Sequence, residues 1–120
     1  MPCIRSSGRL TALALSLIAL LLGAGPALAE SALRILLIPK GSNIDFWQQV
    51  VQGAREEMSR HAHVRLSVRS PQQDGDIESQ KAILDFALSQ RFDAVVIAPT
   101  DAEALRQGVQ ALCAANIKVL

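Results

Sequence analysis

Asp93-Ala94-Val95-Val96-Ile97-Ala98-Pro99-Thr100-Asp101-Ala102-Glu103-Ala104-Leu105 is the stretch on which the architecture turns. Its first half is aliphatic on both sides of a two-residue period, the mark of a strand covered on both faces. Pro99 stops the strand, because it has no N–H to give a ladder. Thr100 followed by Glu103 reads as a capping box, with Thr100 as cap and Glu103 reaching back. Ala102, Leu105, Val109, Leu112 and Cys113 then recur at helical spacing, so Cys113 is expected to be a small buried hydrophobe. Asn116 stands where a left-handed C-cap is expected. Ile117-Lys118-Val119-Leu120 begins another strand, inside which the sequence stops.

The same alternation runs upstream. Leu33 to Ile38 is a short aliphatic run ended by Pro39, a second buried strand. From about Asp45 to His61 the spacing of Trp47, Val50, Val51, Ala54 and Met58 predicts a helix. Asp45 with Gln48 resembles a capping box for it, and Asn43 is an alternative cap. Val64 to Arg69 alternates apolar and polar, which suits a strand with one covered face at a sheet edge. Ser70 to Asp76 is a polar turn-rich loop. Ile77 to Gln90 is a second helix, with Ile77, Leu84, Ala87 and Leu88 on one side. The order β-α-β-α-β-α-β predicts an α/β fold: a parallel Rossmann-like sheet with helices on both faces and right-handed crossovers. Stopping inside a fourth strand would leave an unpaired edge, so the sequence is expected to be a fragment of a longer chain.

The N-terminus has a different character. Arg5 and Arg9 precede an apolar run from Leu10 to Leu22, then Gly23, Gly25 and Pro26, then Ala27-Leu28-Ala29. A charged start, an apolar core and a small-x-small site make a cleaved secretory signal over residues 1–29. A spanning helix needs about 20 apolar residues, more than this run supplies. Residues 30–120 then form the N-terminal part of one domain, expected in the periplasm with no membrane insertion after cleavage. Arg5 and Arg9 are two of the twelve basic residues, and none of the eleven acids precedes Glu30, so the remainder has ten bases against eleven acids. A near-neutral domain has no electrostatic reason to hold nucleic acid. Cys3 leaves with the signal, so Cys113 has no partner for an intrachain disulfide.

In an open parallel sheet, ligands sit beyond the carboxyl ends of the strands. Three loops emerge there: Pro39 to Trp47, Ser70 to Asp76, and Pro99 to Asp101. All are rich in hydrogen-bonding side chains, and the first carries Phe46 and Trp47, two of the four aromatics in the chain. Polar groups can pair with adjacent hydroxyls, and an aromatic face packs on the C–H face of a sugar ring. Ile38-Pro39-Lys40-Gly41-Ser42, Phe46-Trp47, Gly53-Ala54, Ala98-Pro99-Thr100-Asp101-Ala102-Glu103-Ala104-Leu105 and Ala115-Asn116-Ile117-Lys118-Val119-Leu120 together resemble the type I periplasmic sugar-binding proteins. These are the ribose-binding-like group related to LacI-type effector domains.

The resemblance implies two Rossmann-like lobes joined by a hinge, of which these residues begin lobe 1. It implies closure on a sugar or similar small polar solute, then docking on an ABC-type permease. Phe46 and Trp47 match the family's aromatic pair in the first loop. The family's Asn-Pro falls at Ile44 and Asp45, and Asn43 stands one residue early. Lys40 resembles the Pro-Lys of some members, including ones similar to autoinducer-2 receptors. Lys40, Asn43, Phe46, Trp47 and Asp101 are therefore the candidate ligand-binding residues. Each has a plainer role available: a solvated lysine, a cap, helix packing for the aromatics, and dipole compensation for Asp101. Asp74 and Asp76 read as turn and cap residues, and His61 and His63 as solvated histidines away from the rim.

No catalytic residues, metal site or cofactor are expected. No phosphate-binding glycine loop, no Gly-x-Ser-x-Gly elbow and no metal-spaced Cys/His/Asp group occurs. A membrane-coupled sensor with the same fold is the alternative to a transport protein; it would feed a membrane kinase or chemoreceptor rather than a permease.

Overall fold

A computed structural model describes residues 31–120, so the secretory-signal reading of residues 1–29 lies outside the described residues. Strands β1 (Leu33–Ile38), β2 (Val64–Val68), β3 (Ala94–Ile97) and β4 (Lys118–Val119) alternate with helices α1 (Asp45–Met58), α2 (Ile77–Gln90) and α3 (Ala102–Ala114). All strand pairs are parallel, and the sheet order is β2-β1-β3-β4. The chain therefore leaves β1 in one direction and returns past it to β3. Right-handed crossovers on that path put α1 on one face and α2 and α3 on the other. The doubly covered parallel sheet expected from the sequence is present.

Register fixes the core. Leu36 lies level with Ser67 on one side and Val95 on the other, and Ile38 with Ile97. Leu36, Ile38 and Val95 share one buried cluster with Leu84 and Ala87 of α2 and Leu105 and Leu112 of α3. Each such leucine, fully withdrawn from water, contributes about 1.5–3 kcal/mol. A Cβ at Gly108 would meet Leu84 Cδ1 at 2.8 Å, so α3 approaches α2 closely at that point. The alternating strand β2 is a sheet edge, as its pattern predicts. Arg69 lies over the Phe86 ring, 3.7 Å from its centroid, and covers the apolar flank of α2 beside that edge. Among the described residues no helix is long and apolar enough to cross a membrane.

Several local expectations need correction. Helix α1 ends at Met58 rather than His61: the Ser59 N–H turns back to Arg55 O and the Arg60 N–H to Glu57 O. Its N-cap is Ile44, with no side-chain cap bond; Gln48 instead donates to Ser42 O at 3.1 Å. Thr100 is not the cap of α3. That role belongs to Asp101, whose Oδ1 accepts the N–H groups of Glu103 and Ala104, both at 2.9 Å. A carboxylate directly preceding the first helical residue takes two orphan donors, and this outcompetes a hydroxyl one residue further back. Glu103 pairs with Arg106 rather than reaching back. Cys113 is exposed, because the buried stripe of α3 passes through Leu105 and Leu112 and turns it outward. On α2, Leu88 is 37% exposed, while Gln80 is fully buried. Asn116, at φ 62°, does occupy the left-handed position expected of it.

Candidate functional site

The reversal of strand order falls between β1 and β3, and the loops that follow them part company there. Ala98 N–H donates to Ile38 O at 2.9 Å in the last rung between the two chains. Pro39 and Pro99 end both strands one residue on. The loop after β1 is tied to the loop after β2 by Ser42 N–H donating to Pro71 O at 2.9 Å. Asp74 N–H also donates to Asn43 Oδ1 at 3.1 Å. The loops after β1 and β3 are tied by Gln80, whose Nε2 donates to Pro39 O at 3.3 Å and Ala98 O at 2.9 Å. Gln80 Oε1 accepts the Thr100 N–H at 2.8 Å. Three loops thus form one cross-linked rim at the carboxyl ends of the strands.

Against this rim the candidate residues separate. Lys40 directly follows the clasped Pro39 and is partly exposed. Asn43 is no helix cap; its side chain joins two loops. Phe46, at the start of α1, is 60% exposed. Trp47 is partly buried and packs edge-on against Phe46, with ring centroids 4.9 Å apart. It lines a cleft of about 470 Å³ on the flank of α1 with Gln48, Val51, Gln52, Arg55 and Ser70. Lys40, Asn43, Phe46 and Asp101 do not line that cleft. Asp101 is exposed at the N-terminus of α3 and uses only Oδ1 in capping. Asp76 caps α2: its Oδ2 accepts the Ser79 hydroxyl at 2.6 Å and its Oδ1 the Ser79 N–H at 2.9 Å. Those two bonds hold its carboxyl below its ordinary value.

Sequence reasoning missed Gln80. A glutamine inside a helical pattern reads as solvent-facing, yet here it stands in the stripe between Ile77 and Leu84, one turn from each. That position, i+3 and i−4 to two apolar neighbours, was the available signal. His61 shares a contact with Glu57 at 3.2 Å and stands ring-to-ring with His63. Among the described residues no group of three potential metal ligands forms.

An open parallel sheet, its strand order reversed between β1 and β3 and its loops cross-linked there, defines a lobe of the doubly wound α/β class, in which ligands sit beyond the carboxyl ends of the strands. The sequence match agrees: residues 35–120 fit the family model described as "Periplasmic binding protein domain". The chain belongs to that family, a solute-binding and non-enzymatic class. It is similar to the periplasmic component of an ABC-type sugar transport system from Hahella chejuensis. Identity there is 42% over 71% of this chain and 31% of that one, with a TM-score of 0.67. It is also similar to an ABC transporter solute-binding protein from Agrobacterium vitis with bound D-fucose. Identity there is 29% over 72% and 30% of the two chains, with a TM-score of 0.69. LsrB from Clostridium saccharobutylicum, in complex with AI-2, shares the fold at 19% identity over 72% and 26%, with a TM-score of 0.68. The chain spans less than a third of the length of each. No curated protein matches it.

Proposed function

We propose that this chain is the export-tagged first part of a periplasmic solute-binding protein that receives a sugar, or a similar small polar solute, for an ABC-type transporter. The observation that carries the reading is the 42% identity to a periplasmic sugar-transport component. The cross-linked polar rim at the strand reversal supports it. Residues 1–29 serve as the cleaved signal, and residues 30–120 open the first of two lobes. Lys40, Asn43 and Asp101 supply hydrogen-bonding and charged groups at the rim, and Phe46 an exposed ring for the C–H face of a pyranose or furanose. Trp47 backs Phe46 and reports on its surroundings. The role is reversible binding by lobe closure, with no bond made or broken and no cofactor.

Calorimetric titration of the full-length two-lobed protein with pentoses, hexoses including D-fucose, and autoinducer-2 tests this, with Trp47 fluorescence followed in parallel. Saturable binding of one sugar is expected. Silence across the sugars overturns the sugar reading, and binding of autoinducer-2 alone transfers the site to the receptor alternative. Mass spectrometry of the exported protein is expected to find Glu30 as its first residue; an intact N-terminus overturns the export assignment.

A further inference from the structure

We propose that Gln80 is the positioning residue of the rim, a side-chain clasp that replaces the β-ladder where β1 and β3 end and so sets the solute-facing geometry of Lys40 and of the Thr100–Asp101 turn. This inference rests on the solute-binding reading above.

Gln80 is fully buried and is the only polar side chain so buried among the described residues. Burying a carboxamide is costly unless its bonding capacity is met. Here it is met entirely by backbone: Pro39 O, Ala98 O and the Thr100 N–H. All three groups follow the ends of β1 and β3. Beyond the Ala98-to-Ile38 rung the ladder cannot continue, since Pro39 and Pro99 have no N–H to donate. A carboxamide reaching up from the first turn of α2 supplies two donors to the stranded carbonyls and one acceptor to the next free amide. The orientation is fixed, because the oxygen cannot face two carbonyls.

What the clasp holds is the rim. Lys40 is the next residue after Pro39, and Asp101, the cap of α3, is the next after Thr100. No other side chain among the described residues bridges the loops after β1 and β3. A leucine in place of Gln80 would fill the space while leaving two carbonyls and one amide without partners. Those groups regain partners only if the loops separate and admit water.

Two measurements on the full-length two-lobed protein test this: hydrogen exchange without solute, and calorimetric titration with D-fucose. In Gln80→Leu the protection of the Thr100 amide is expected to fall by about tenfold or more. The Ile117 amide, bonded to Leu112 O at the opposite end of the sheet, keeps its protection. The affinity for D-fucose is expected to weaken on the order of tenfold. Gln80→Glu, which turns a carboxylate oxygen on the two carbonyls in place of the donating nitrogen, is expected to lose at least as much protection at Thr100 as Gln80→Leu. Leu112→Ala, a core control, is expected to lower overall stability and leave the D-fucose affinity within about twofold. Equal loss of protection at Thr100 and Ile117 would mean a merely structural role and overturns the proposal. So does unchanged affinity in Gln80→Leu. If the wild-type chain ignores D-fucose, the choice of solute fails instead, and the exchange measurement still decides the clasp.

Discussion

The backbone of Gly41 lies against that of Asp74 so closely that a Cβ on Gly41 would stand 2.6 Å from the Asp74 nitrogen and 2.9 Å from its Cα. The loop after β1 and the loop after β2 meet there, main chain to main chain. Flanking bonds, from Ser42 N–H to Pro71 O and from Asp74 N–H to Asn43 Oδ1, hold the contact on either side.

Gly41→Ala is therefore expected to destabilise the fold by about 1–3 kcal/mol, because the clash is with backbone and not with a side chain that can swing away. Chemical denaturation measures it. An unchanged midpoint would show that the two loops part easily and that the rim is not the rigid unit described.

The two residues before α3 make opposite predictions. Asp101→Ala removes the acceptor of two helix amides and should cost about 0.5–2 kcal/mol. Thr100→Val keeps the shape and removes a buried hydroxyl with no partner among the described residues, so it should be neutral or stabilising. Thermal melts of both variants check this. The reverse order would restore Thr100 as the cap.

Asp76 gives a pH dependence. The Ser79 hydroxyl, then the Ser79 amide, hold its carboxyl below the ordinary value, against a smaller opposing effect of burial. A carboxyl depressed in the folded state contributes stability above its unfolded value and loses it as pH falls through the folded one. The stability advantage of the wild type over Asp76→Asn is therefore expected at neutrality and should close in strong acid. A gap that widens on acidification contradicts the assignment.

Phe46 and Trp47 should divide their labour. Phe46→Ala removes an exposed ring, so stability should change by less than about 0.5 kcal/mol. Affinity for the bound sugar should fall about three- to tenfold, the worth of one aromatic contact. Trp47→Ala empties a partly buried position on the flank of α1 and should act mainly on stability. Calorimetry and denaturation on the same two variants separate these effects.

Much of the scaffold was legible because its signals are local. The aliphatic run from Leu33 to Ile38 and the one from Asp93 to Ala98 each end at a proline, and a central parallel ladder does not continue through a residue without an N–H. The bounds of α2, Ile77–Gln90, follow from the turn-rich loop before it and from its apolar spacing. Asn116 announces its left-handed backbone by its identity and its place after a helix. Cap choice at α3 was misread because Thr100 and Asp101 are both good caps in isolation. Only the two amides that Asp101 Oδ1 accepts, those of Glu103 and Ala104, show which residue caps the helix.

The sequence alone determined the succession of strands and helices, the parallel class of the sheet and the loops that make up its carboxyl rim, because these depend on periodicity, proline and capping within a few residues of chain. Only the tertiary structure decided the order β2-β1-β3-β4, the outward turn of Cys113 and the burial of Gln80 beneath two loops. The partners in those cases are far apart along the chain, and which of them meet is fixed by the crossover path and by packing.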